Sequence, residues 1–108
     1  MNVTEKEIAF DRLRRADTIC MQTTRSNYQF SVIDPSIRKG LLSGGSLGDD
    51  TIEAFWTGMV SEDNGDFDED KLKTGARAVF FVESRACIRR FITSTVTDLD
   101  VARTAESH

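Results

Sequence analysis

Residues 19–33 read Ile19-Cys20-Met21-Gln22-Thr23-Thr24-Arg25-Ser26-Asn27-Tyr28-Gln29-Phe30-Ser31-Val32-Ile33. Ile19, Met21 and Thr23 alternate with Cys20, Gln22 and Thr24, the two-residue period of a half-buried strand. After the polar break Arg25-Ser26-Asn27, Tyr28, Phe30 and Val32 alternate with Gln29, Ser31 and Ile33. Two such runs so close together predict a β-hairpin with a three-residue turn, in which Asn27 tolerates a positive φ. Asp34-Pro35-Ser36 ends it, because proline donates nothing to a strand ladder.

Working outward, the same period recurs. A Gly- and Ser-rich stretch over 34–50 leads into Ile52, Ala54 and Trp56, which alternate with Glu53, Phe55 and Thr57 in a third strand extending to Val60. The acidic run 61–70 reads as a loop. Ala76–Glu83, built on Val79-Phe80-Phe81-Val82, is rich in β-formers. A turn at Ser84-Arg85-Ala86 precedes a strand from Ile88 to Val96, and 97–108 reads as a polar tail.

The N-terminus breaks this pattern. Thr4 and Glu7 have the spacing of a capping box, and Val3 and Ile8 that of a hydrophobic staple. Ile8, Ala9, Leu13 and Ala16 form a stripe at helical spacing, with Phe10 at its margin. These signals predict a helix over about 4–15. The expected architecture is one mainly β domain over 1–108, a small antiparallel barrel or strongly bent sheet of five or six strands with an N-terminal α-helix.

Composition narrows the function classes. The chain has 108 residues, 39% of them hydrophobic, and a formal net charge of −4. That figure hides a segregation: residues 41–70 contain nine acids and neither Lys nor Arg, whereas 71–96 contain six bases and one acid. The acidic balance argues against a general nucleic-acid binder, which needs a clustered basic face. No apolar run reaches the ~20 residues of a membrane helix. With no secretory signal, a cytoplasmic location and two reduced core thiols, Cys20 and Cys87, are expected.

Catalytic signals are weak. The single histidine is His108, which leaves nucleophile–base sites and zinc centres without their usual partner. In Ser61–Asp70, placing Gly65 at the sixth position of a calcium loop puts Val60 first and Lys71 twelfth, where neither can ligate. Only weak cation binding by Asp63, Asp66 and Asp68 stays open there. Ser43-Gly44-Gly45 lacks the lysine of a phosphate loop and reads as turn chemistry. No cofactor and no metal are expected.

Asp34-Pro35-Ser36-Ile37-Arg38-Lys39-Gly40 resembles the Asp/Asn-x-Ser-x-x-Gly motif of the PilZ domain, with the glycine one residue later. Arg12, Arg14 and Arg15 lie in the region of that family's arginine pair, though no two are four apart. The resemblance, one of layout over residues 10–60, implies a β-barrel that binds cyclic di-GMP. The candidate ligand-binding residues are then Arg12, Arg14, Arg15, Asp34, Ser36, Arg38 and Lys39. The chain also resembles uncharacterised small bacterial β-barrel proteins in Thr24-Arg25-Ser26-Asn27-Tyr28, Ser43-Gly44-Gly45 and Thr93-Ser94-Thr95-Val96, which implies a fold and no activity.

The aromatics supply a last expectation. Phe55-Trp56 and Phe80-Phe81 are consecutive, so each pair must place one ring on either face of a sheet. One face fills the barrel; the other meets the helix, another chain or a ligand. The overall expectation is a non-catalytic binding or interaction module that self-associates as a homo-oligomer or docks a protein partner. The alternative is a PilZ-like cyclic-dinucleotide-binding regulatory domain.

Overall fold

The computed structural model describes residues 6–48, 50–84 and 87–103, without the side chains of Ser46 and Ser84. Nine strands follow in order: β1 (Glu7–Ala9), β2 (Thr18–Thr23), β3 (Asn27–Asp34), β4 (Lys39–Gly44), β5 (Thr51–Ser61), β6 (Phe67–Asp68), β7 (Lys71–Lys73), β8 (Ala76–Ser84) and β9 (Cys87–Ala102). Three one-turn 3-10 helices lie between them, at Phe10–Arg12, Pro35–Ile37 and Gly45–Leu47.

Six strands close an antiparallel barrel in the order β2-β3-β4-β5-β8-β9, with β9 returning to β2. Each barrel strand pairs with the next one along the chain, and closure rests on the ladder from Thr18↔Ala102 to Thr23↔Val96. The alternation read from the sequence sets the inner face. Ile19, Met21, Phe30, Leu42, Ala54, Trp56, Phe80 and Leu99 are buried in one core. Phe30 and Phe80 meet across it with ring centroids 5.2 Å apart. Gly40 lies so close to Phe30 that a Cβ there would approach its ring to 2.6 Å, which makes the missing side chain a packing requirement.

Among the described residues, 6–15, the predicted N-terminal helix is not present. Thr4 and Val3 fall outside the described residues, and from Glu7 the chain forms a strand and then a 3-10 turn. β1 pairs antiparallel with β7, Ile8 opposite Leu72. The reason is tertiary. Phe10, marginal on a helical stripe, is the residue that burial selects: it is buried and stacks on Trp56, centroids 4.9 Å apart and planes 3° from parallel. Ala16, which a helix would bury, is exposed at φ 76°, outside any right-handed helix. A large apolar plug for the barrel outweighs a helix of about three turns, which is marginal alone.

Other expectations need smaller corrections. The hairpin turn is Thr24–Ser26, and Asn27 already belongs to β3 with no positive φ. The Gly- and Ser-rich stretch contains β4, the acidic loop contains β6, and the polar tail continues β9 to Ala102. Cys20 and Cys87 are both free, but Cys20 is half-buried and Cys87 exposed, so neither is a core thiol. Among the described residues, no helix is long and apolar enough to cross a membrane.

β9 changes partners along its length. Residues 87–95 pair with β8, and 96–102 pair with β2. The switch sits at a bulge where Thr93 and Ser94 together face Ala78. Buried Thr93 Oγ1 accepts from the Ala78 N–H at 3.1 Å and donates to the Ser94 carbonyl at 2.7 Å, filling the gap in the ladder. Among the described residues, Glu83–Ser84 and Cys87–Ile88 at the far end pair only with each other, so β8 and β9 project past the barrel rim as a two-stranded ribbon.

Candidate functional site

Consecutive aromatics divide as strand geometry demands. Trp56 and Phe80 are buried; Phe55 is half-buried and Phe81 is exposed. Register places the outward pair in one cross-strand row, Lys39↔Phe55, Phe55↔Phe81 and Phe81↔Arg90. Residues directly opposite share a face, so this is a row of two rings with a cation at each end. The Lys39 ammonium lies 6.0 Å from the Phe55 ring centre and 3.4 Å from the Glu53 carboxylate. The adjacent row, Gly58↔Val79 and Val79↔Ile92, adds exposed Ile92 beside buried Val79. Phe67 leans over Gly58, whose φ of +155° and missing Cβ leave room for that ring.

The outcome is an apolar outer face across β5, β8 and β9, with Phe81 43%, Ile92 44% and Phe67 54% exposed. Its two flanks carry opposite charge. The spatial order is β9-β8-β5-β6, with Arg90 on this face of β9 at one side. At the other, the segment around β6 carries Glu62, Asp63, Asp66 and Asp68. Glu62 is held below its ordinary carboxylate range by the Arg77 guanidinium, 2.6 Å away. Asp68 is lowered chiefly by the Asp70 backbone N–H, then by Lys73.

The residues singled out by the PilZ resemblance do not converge. Asp34 caps the turn after β3, accepting from Ser36 N at 3.1 Å and Ser36 Oγ at 2.7 Å, and the Ser36 hydroxyl is the main cause of its lowered pKa. Both are thereby occupied within the turn, with Arg15 near enough to add a smaller electrostatic effect. Arg38, at φ 61°, lies 5.0 Å from the Trp56 ring centre and 5.3 Å from that of Phe10, and its Nη1 donates to the Glu69 carbonyl. It fastens the barrel plug and the acidic segment together. Lys39 belongs to the outer row. Arg12 and Arg14 line a shallow groove of about 370 Å³ with Arg103 and Asp11.

Sequence reasoning anticipated outward rings from Phe55-Trp56 and Phe80-Phe81, but missed Arg90 and Ile92. Their signal was alternation in 88–96, with register still needed to place Arg90 opposite Phe81. Among the described residues, no three His, Cys, Asp or Glu side chains gather as a metal site. Comparison with protein families, curated proteins and solved structures finds no match.

Proposed function

We propose that this chain is a non-catalytic β-barrel interaction module, cytoplasmic, that self-associates through the outer face of β5, β8 and β9. The observation that carries the reading is the row Lys39–Phe55–Phe81–Arg90, whose rings lie outside a core already complete without them. A second copy suits it because the flanks are complementary. A twofold axis parallel to the strands sets the β9 flank of one copy over the β6 flank of the other. Arg90 then faces Glu62, Asp63 and Asp66, with Phe81 and Ile92 between.

Light scattering over a concentration series tests this. The expected result is a dimer whose association weakens with salt and is abolished by Phe81→Asp. A strict monomer at high concentration refutes it.

A second reading, a PilZ-like cyclic-dinucleotide domain, is favoured by one observation, the grouping of Arg12, Arg14 and Arg103 in one groove. Thermal shift with cyclic di-GMP decides it. No shift at large excess removes the reading.

A further inference from the structure

A closed barrel has no free edge, yet the partner switch of β9 opens one. On one side, residues 87–95 pair with β8. On the other, β2 pairs with β9 only from Val96 onward, and its turn meets the strand through Thr24 N donating to Thr95 O at 3.0 Å. No strand among the described residues pairs with that second edge over Cys87–Ser94. Alternate amide and carbonyl groups of the stretch therefore face outward, the template for an added strand. A strand bound there continues the line of β2 beyond its turn.

The side chains identify the chemistry of the occupant. Arg89 and Arg90 are exposed at the middle of this edge and project to opposite faces, being consecutive. Arg25, also exposed, stands in the β2–β3 turn where the edge ends. The nearest acid along the ribbon, Glu83, lies on β8, one strand removed and opposite Ile88. A second copy pairing antiparallel about this segment would set arginine against arginine, which disfavours like pairing. A strand carrying acids on both faces meets Arg89 on one and Arg90 on the other. Ile88 and Ile92, 67% and 44% exposed, supply apolar contact for the residues between.

We propose that the open β9 edge, Cys87–Ser94, binds an extended acidic peptide segment by strand addition. This site shares Arg90 and Ile92 with the self-association face but differs from it in binding mode: it adds backbone ladder bonds along the edge of the ribbon and uses Arg89 on the opposite face, whereas the dimer uses side chains of the outer surface alone.

The probe is a blocked eight-residue peptide in which consecutive glutamate pairs alternate with valine–threonine pairs, so that each face of the strand carries acids, with a lysine counterpart as control. Amide hydrogen exchange on the full chain locates the contact. With the glutamate peptide, alternate amides of 88–94 slow by about tenfold or more, because added ladder bonds must open before exchange. Arg89→Glu with Arg90→Glu, both exposed and outside the core, weakens glutamate-peptide binding by about tenfold and strengthens lysine-peptide binding.

Phe81→Ser, which removes the central ring of the proposed dimer without adding a charge opposite Arg90, leaves peptide binding unchanged, so the two readings fail separately. Equal slowing by both peptides, slowing confined to the outer-face residues, or no slowing at all overturns the proposal. In the last case the arginines serve only to guard the edge against aggregation.

Discussion

Thr93 carries one side-chain oxygen on which the register of the whole ribbon depends. Replacing it with valine keeps shape and β-branching but removes the hydroxyl oxygen that accepts from the Ala78 N–H. Ala78 is fully buried and Thr93 is 2% exposed, so water cannot substitute without opening the sheet. An unsatisfied buried amide costs about 1–3 kcal/mol, and the buried methyl that replaces the hydroxyl returns a fraction of it. The expected net loss is about 1.5 kcal/mol. With a urea m-value of about 1.5 kcal/mol/M, the midpoint falls by about 1 M. Urea titration followed by fluorescence of Trp56, the single tryptophan, measures this. Thr93→Ser separates the two contributions, since it retains the oxygen and loses only a methyl, about 0.8 kcal/mol. Amide exchange then assigns the cause: the Ala78 amide loses protection in Thr93→Val and keeps it in Thr93→Ser. A Thr93→Val protein as stable as the parent, with Ala78 still protected, refutes the argument that this hydroxyl closes the bulge.

Phe10→Ala removes the barrel plug and costs about 3–5 kcal/mol, with Trp56 emission shifted to the red as its stacked face gains water; an unmoved emission maximum contradicts the stack. Gly58→Ala drives a Cβ to within 2.5 Å of Phe67 Cζ and 2.8 Å of the Asp68 carbonyl. It should cost about 1–3 kcal/mol, and protease cleavage within 61–70 should report release of β6. Stability also falls in acid. Asp34, Glu62, Asp68 and Asp98 are each held below their ordinary values of 3.8 or 4.5, so their contribution is complete above about pH 5 and lost as pH drops through the lowered values. Thermal melts between pH 2 and 7 check the sign, and a melting temperature that rises on acidification contradicts it.

Period-two alternation made the barrel legible because each strand has one buried face, and the hairpin at 18–34 was plain for that reason. β4 was hidden because Gly40 and Gly44 look like turn chemistry, although close approach to Phe30, Tyr28 and Asn27 is what requires glycine there. The N-terminus was misread because spacing reports which residues are apolar, not what they meet. Phe10 and Ile8 are satisfied by Trp56 and Leu72, partners 46 and 64 positions away. The outer row was half visible: consecutive aromatics imply an outward ring, but which cation stands beside it is a matter of register. The arginines at 12–15 and 38 were conspicuous in sequence and disperse in space, since Arg38 is committed to the plug.

The closure of the barrel has a kinetic consequence. Five of its six seams join strands adjacent in chain order, so each can form as a hairpin or a short excursion. The sixth, β2 with β9, brings Ile19 to Val101 and must wait for the others, because its loop-closure entropy is recovered only when the intervening strands are in place. That seam forms last, so the rate at which the whole cylinder closes is set by a contact between its two ends.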